Sequence, residues 1–475
     1  MDADQIRRLK PMLTQYLKEF DDCFARRKAR SHFTTYVNGQ LSNLAEKSCE
    51  PIALAAGIPP RNLQGFLAFY HWDEDLARQR LQHIVVRDHA APNAVGVIDE
   101  TSDVKKGDKT PGVKRQWCGT VGKTENCIVT VHLAYAAGDF HCLLDGDLFL
   151  PEDWSNDRAR CREAGIPDEV VYRPKWKIAL ELFDRARENG ARFDWLTFDE
   201  GYGSKPELLR ELQGRNQCFV GEVPTTFTGW IREPRVTERS FRRARGRGRK
   251  TPRRVAGSRP AISVANMLRY SPELRDQPWL RYRIKDGQKG PMIWEVKHVR
   301  ITVKDERELP GMRLHLIVAR NALDPTEIKF FVSNAPPETS VQTMLLAAFS
   351  RWHVERCFED QKQEVGLDQW EGRRWLGLKR HLILTSVSYL FLARFRAKFR
   401  GEKAGPDDPP SAYGGRSVGA ELVALRPRVQ GVDRGHREAS SPLATTHRRG
   451  SCEPHQANSQ ETAANGHISK RRYPL

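Results

Sequence analysis

Apolar positions in the first ninety residues recur three and four apart. IRRLKPMLTQYLKEFDDCFAR carries them at helical spacing, and FTTYVNGQLSNLAEK continues in the same way. GIPPRNLQGFLAFYHW breaks at Pro59 and Pro60 and restarts, and DEDLARQRLQHIVVRDH supplies one more helix. Residues 4–88 are therefore expected to be all-helical. After HAAPN the period drops to two. In AVGVIDET (94–101), Val95, Val97 and Asp99 share one face of a strand, and Gly96, Ile98 and Glu100 share the other. NCIVTVHLAYAAG (126–138) and DFHCLLDGDLFLP (139–151) read as two further strands with a turn at Gly138-Asp139. PKWKIALELFDRARENG (174–190) is helical and is stopped by Gly190. ARFDWLTFDEGYG (191–203) reads as a strand ending in a Gly-flanked turn, with Phe193, Trp195, Thr197 and Asp199 on one face, and SKPELLRELQGR opens the next helix.

Short strand-like runs fill 219–330 around a basic stretch, SFRRARGRGRKTPRR (240–254), and helices return from Val341 to about Arg400. Within them SRWHVERCFEDQKQEVGLDQWEG (350–372) reads as helix up to Gly366. Val354, Cys357, Phe358 and Val365 form its apolar arc. Arg351, Glu355, Glu359 and Lys362 line the neighbouring stripe, with Glu355 at the edge of the buried face. The expected division is a helical N-terminal domain (1–90), a candidate DNA reader or, equally, a packing or dimerisation domain; the first part of an α/β core (91–218); a β-rich insertion (219–335); and the C-terminal helices of the core (336–400). A tail (401–475) rich in Gly, Pro, Ser, Arg and His is expected to be mostly disordered.

Charge and cysteine usage narrow the partners. The chain has 475 residues, and 78 Lys plus Arg against 60 Asp plus Glu leave a formal charge of +18, which suits a polyanion, nucleic acid foremost. No apolar run approaches the roughly 20 residues needed to span a bilayer. The N-terminus is acidic and then amphipathic, unlike a signal peptide. Nine scattered Cys without a CxxC pair point away from a disulfide framework or structural zinc. A cytoplasmic, nucleoid-associated protein without membrane attachment is expected.

The chemistry centres on carboxylates at element ends. Asp99 and Asp199 each close an apolar strand, and if the strands are neighbours the two acids come within metal-bridging reach. Glu355, from a helix packed across the sheet, would complete the set. Oxygen donors of this kind suit Mg²⁺, with Mn²⁺ as an alternative. Two such ions about 3.5–4 Å apart favour in-line displacement at phosphorus. The plainer readings are a strand-end Asp that caps a turn or helix and a helical stripe of surface ion pairs, each contributing about 0.3–0.5 kcal/mol. HVE (353–355) imitates the H-x-E of zinc deaminases, but the partner P-C-x-x-C is absent.

Four stretches together carry a resemblance over roughly residues 15–395: VIDETSDVKKG with GVKRQWCGTVGKTENC; LFLPEDWSNDRARCREAGIPDEVVYRPKWKIALEL; FDWLTFDEGYG; and RWHVERCFEDQKQEVGLDQWEGRRWLGLKRH. They resemble bacterial insertion-sequence transposases of the Asp/Asp/Glu superfamily, in the branch with a β-rich insertion between the second Asp and the Glu. The resemblance implies an RNase H-like α/β catalytic core, with the catalytic, metal-holding acids falling on Asp99, Asp199 and Glu355. Arg351 and Lys362 complete an Arg-x3-Glu-x6-Lys pattern associated with DNA phosphates near the cleaved end. Lys379, Arg380 and His381 are further candidate DNA contacts. The implied reaction is Mg²⁺-dependent, with two ions per site. Water attacks at the element end and frees a 3′-OH, which then attacks target DNA. The implied partners are double-stranded DNA, as terminal inverted repeats and target, and a second copy of the chain pairing the two ends. The chain departs from the pattern at Ala348, where a Tyr usually opens it, at Ser102 in place of Gly, and at Trp117 in place of Tyr. The competing expectation is a relative that has lost turnover and only binds DNA.

Overall fold

The computed structural model describes residues 3–237, 251–287 and 290–403. The first ninety residues form α1 (Ala3–Lys18), α2 (Arg27–Gln40), α3 (Cys49–Ala55), α4 (Pro60–Ala68) and α5 (Glu74–His89). Pro60 takes the first position of α4, where a missing N–H costs nothing. Asp73 caps α5 by accepting a hydrogen bond from the Leu76 amide at 2.8 Å.

Next come β1 (Val95–Val104), β2 (Lys114–Cys118), β3 (Lys123–Ala137) and β4 (Phe140–Leu148). The turn at Gly138-Asp139 is made with Gly138 at φ +57°, a conformation that favours glycine. After the short α6 (Glu152–Asn156) and α7 (Arg158–Glu163), α8 (Lys175–Glu188) leads to β5 (Trp195–Phe198), which pairs parallel to β1. The expected Gly-flanked turn is a single helical turn, α9 (Glu200–Gly203). It is followed by α10 (Pro206–Gly214) and by β6 (Phe219–Val223), parallel to β5.

The β-rich segment is built of β7 (Thr228–Trp230), a two-residue ladder of β8 (Val236–Thr237) with β9 (Arg253–Arg254), and β10 (Ile262–Ser263). Two short helices follow, α11 (Val264–Tyr270) and α12 (Pro272–Arg275). A meander completes it: β11 (Leu280–Gly287), β12 (Gly290–Lys304), β13 (Pro310–Asn321) and β14 (Ile328–Ser333). Most of the basic stretch 240–254 lies outside the described residues; Arg253 and Arg254 form β9. β14 pairs antiparallel with β6, so the insertion extends the core sheet rather than standing apart. The order is β10-β7-β12-β13-β14-β6-β5-β1-β3-β2, with β11 on β12 and β4 on β3, twelve strands in all. β14 thereby covers an edge that β6 would otherwise expose.

The chain closes with α13 (Val341–Phe349), α14 (Trp352–Asp360), a π-helical turn (Gln361–Val365) ended by Gly366 at φ +73°, and α15 (Trp375–Lys403). The run 382–395 is the buried body of α15. The N-terminal helices share its core: the Tyr16 hydroxyl donates to the Val387 carbonyl at 2.8 Å, and Phe391 lies against the Tyr16 ring. The tail expected to be disordered lies outside the described residues, apart from the last turn of α15. Among the described residues no helix is long and apolar enough to cross a membrane. The architecture is mixed α/β, as expected of an RNase H-like core.

Candidate active site

β1 and β5 lie side by side with Ile98 opposite Phe198. Asp99 follows in the middle of β1, which runs on to Val104 instead of closing at Asp99 as expected, and Asp199 directly follows the end of β5. Asp99 is buried. Its Oδ1 accepts the Glu100 amide at 2.8 Å and its Oδ2 accepts Arg351 Nη1 at 2.8 Å. Asp199 caps α9, accepting the Tyr202 amide at 3.2 Å, so the plain helix-cap reading and a place beside Asp99 hold together. A Cβ on Gly203 would lie 1.9 Å from the Glu222 carbonyl oxygen; only glycine lets α9 sit this close to β6. Glu100 points to the other face, as strand alternation requires. There it accepts the Lys175 ammonium at 2.6 Å and the Tyr202 hydroxyl at 3.5 Å.

Helix α14 brings the third acid. Val354, Cys357 and Phe358 are buried, and the Phe358 ring meets His132 of β3 edge-on at 5.2 Å. With that arc seated on the sheet, the neighbouring stripe faces β1 at Asp99 and Ser102. Arg351 Nη2 donates to Glu355 Oε1 at 2.8 Å while Nη1 holds Asp99, so one guanidinium joins two of the three acids. The rest of the stripe divides. Glu359 pairs with Arg356 at 3.0 Å. Lys362 sits in the π-helical turn, and its Nζ reaches the Thr120 hydroxyl at 3.0 Å and the Ser102 carbonyl at 3.2 Å. Ala348 is buried, and Phe349 packs on Trp294 and Phe331, so Phe349 does not supply the Tyr missing from the pattern.

Burial above all pushes the Asp99 carboxyl up to about 7. Arg351 opposes the rise, while Asp199 and Glu355 add to it. Asp199 and Glu355 thus make Asp99 harder to ionise, and a divalent cation relieves that repulsion. The donors are carboxylate oxygens, the type that Mg²⁺ and Mn²⁺ take, so the set fits such an ion by donor type and not by its present spacing. Among the described residues no three His, Cys, Asp or Glu side chains stand at metal-holding spacing. Between Asp99 and Glu355 that space holds the Arg351 guanidinium. Burial also holds the Lys362 ammonium below the ordinary lysine range.

The remaining candidate DNA contacts fall elsewhere. Lys379 lays its ammonium over the Trp375 ring, 4.6 Å from the centroid. Arg380 is buried and donates to the carbonyls of Phe66, Leu67, Tyr70 and Trp72 while pairing with Glu74 at 3.0 Å. His381 is fully buried between the Tyr36 hydroxyl and the Leu367 carbonyl. The expectation that Arg380 and His381 meet DNA is corrected: their polar atoms are already engaged inside the protein, where they join α15 to the N-terminal helices and to Leu367. Sequence reasoning missed Lys285. A register irregularity between Arg283 and Lys285 re-aims this residue of β11. Its Nζ stands 4.1 Å from the centroid of the Trp352 ring, within the field of Glu355. Nothing local marks it, because only the pairing of the insertion with the core brings it to α14.

The chain matches the profile of the DDE superfamily endonucleases over residues 19–291, a span that includes Asp99 and Asp199 and ends before Glu355. It is 31% identical over 186 residues to a Microchaete diplosiphon protein described as a probable transposase for insertion sequence element IS701; the alignment covers 38% of this chain and 46% of that protein. The matched part thus spans about half the length of this curated relative. With Asp99 in β1 beside the Asp199 that closes the adjacent parallel β5, and the profile matched over more than half its length, this chain belongs to the DDE superfamily of endonucleases.

Proposed function

We propose that the protein is the transposase of an insertion sequence, cutting DNA at element ends and joining the freed 3′-OH to target DNA. The observation that supports this reading is Asp99 in β1 beside the Asp199 that follows the adjacent parallel β5, with Arg351 bonded to both Asp99 and Glu355. Asp99, Asp199 and Glu355 would hold the divalent ions, which would supply Lewis acidity at the scissile phosphodiester and a lowered pKa for the attacking oxygen's proton. The remaining work belongs to the protein. Arg351 and Lys362 neutralise phosphate oxygens on either side of the cut, and Lys379 adds a weaker contact at the start of α15. Asp199 is oriented by its capping bond to the Tyr202 amide, and Asp99 by the Glu100 amide on one of its oxygens. The helical domain 1–90 and the insertion 219–335 flank this core and extend the basic surface. Two copies act together on paired ends, in the cytoplasm at the nucleoid.

The test is nicking of a duplex carrying the element's own ends, in Mg²⁺ and in Ca²⁺. Cleavage is expected with Mg²⁺ only, and Asp99→Asn or Glu355→Gln is expected to lower it roughly a hundredfold or more. Undiminished cleavage by Asp99→Asn would remove that residue from the site. Ala348 favours a second reading, a relative that has lost turnover: duplex binding without nicking under any divalent ion would establish it.

A further inference from the structure

Three basic side chains lie along or against α14 and the turn that follows it, and they are engaged differently. Lys362 is held by Thr120 and Ser102, and Lys285 by the Trp352 ring. Arg351 alone of the three bonds to the acids themselves, at 2.8 Å to Asp99 and 2.8 Å to Glu355. A single positive charge between two carboxylates, with Asp199 beside them, leaves the cluster short of neutral. Its side chain is about a quarter exposed (24%), so it has a way out toward solvent. A guanidinium also matches the two oxygens of a phosphate as well as it matches carboxylates.

We propose that Arg351 is an internal placeholder for the divalent cation. It satisfies Asp99 and Glu355 in the free protein and moves to a DNA phosphate when duplex is bound, releasing both carboxylates to the metal. This rests on the metal-holding role proposed above for the acids and goes beyond it. DNA binding and metal loading become linked through one side chain, and the linkage is reciprocal: each must tighten the other by the same factor. The chain then arms its site only on DNA.

The experiment measures Mn²⁺ affinity of the full chain by loss of the free-ion electron paramagnetic resonance signal, without DNA and with a saturating short duplex of arbitrary sequence at low salt. For the wild type, duplex is expected to tighten Mn²⁺ binding about tenfold, and Mn²⁺ is expected to tighten duplex binding equally. Arg351→Gln is expected to bind Mn²⁺ about tenfold more tightly than wild type without DNA, and to gain little more from duplex. A folded Arg351→Gln that binds Mn²⁺ no better than wild type overturns the proposal. If that variant has no cooperative melting transition, the wild type decides alone: Mn²⁺ affinity indifferent to duplex overturns it equally. Asp99→Asn and Glu355→Gln separate the two levels. Mn²⁺ binding weakened in both upholds the metal-holding role whatever Arg351 does, and binding unchanged in both removes that role itself.

Discussion

His381 joins α15 to α2 through single hydrogen bonds at each ring nitrogen. Nε2 donates to the Leu367 carbonyl and Nδ1 accepts the Tyr36 hydroxyl, a pattern that only the neutral ring can satisfy. Burial foremost, with Lys105 adding to it, lowers its pKa to about 4. The unfolded chain takes up this proton near the ordinary histidine value of about 6.5, whereas the folded chain resists until about 4. The stability it contributes is therefore complete above about pH 6.5 and lost as pH falls toward 4, as much as about 3 kcal/mol for one such group. Urea midpoints at pH 7 and pH 5 should drop for the wild type and drop less for His381→Gln. A gap between the two proteins that does not change with pH would refute this account. Gly203 shows the same dependence on surroundings: its lack of a Cβ is meaningful only because Glu222 lies where one would go.

At the scale of elements, α14 is shaped by what lies at its two ends. Its N-terminal turn carries Arg351, Trp352 and Glu355, and the insertion strand β11 reaches it through Lys285. Its C-terminal end passes into the π-helical turn, which turns Lys362 away from the Glu359 side and toward β1. Asp360, buried at the junction, accepts Arg396 at 2.6 Å and the Tyr389 hydroxyl at 3.1 Å and so holds this end on α15. A phosphate chain lying along α14 would meet Lys285 before Lys362. Lys285→Ala should then weaken duplex binding at low salt and reduce the slope of log affinity against log salt by about one, with an unchanged melting temperature. An unaltered slope would leave Lys285 as packing for Trp352 only.

At the scale of the whole molecule, the α/β core is fastened to the N-terminal helices by buried charge. Arg78 of α5 pairs with Asp145 of β4 at 3.0 Å, and Arg185 of α8 pairs with the same carboxylate at 2.7 Å. Arg380 gathers four carbonyls and Glu74 at the α4–α5 junction. Removing one partner from such a buried set leaves carbonyls and a carboxylate without donors. Arg380→Met is therefore expected to destabilise the fold by about 3–5 kcal/mol while leaving the salt dependence of duplex binding unchanged in the protein that remains folded. Chemical denaturation together with a salt titration checks both halves; reduced salt dependence at full stability would restore Arg380 to the DNA surface.

Local pattern determined much of this protein. The spacing of apolar residues placed the N-terminal helices, α8 and α14, because each buries one face, and apolar runs bounded by turns placed β1, β3 and β4, which are buried on both faces over much of their length. It also separated Asp99 from Glu100, since a strand alternates its faces, and it identified the apolar arc of α14. Tertiary structure alone decided the rest. That β1 and β5 are neighbours, so that Asp99 and Asp199 adjoin, depends on pairing between segments a hundred residues apart. The insertion joined the core sheet because β6 offered an edge that β14 could pair with. Three basic residues adjacent along α15, identical in kind to DNA contacts, were divided by burial: Arg380 and His381 face inward, while Lys379 lies on Trp375. Charge in a sequence carries no direction, and only packing determines whether a cation meets a phosphate, a carboxylate or the protein's own backbone.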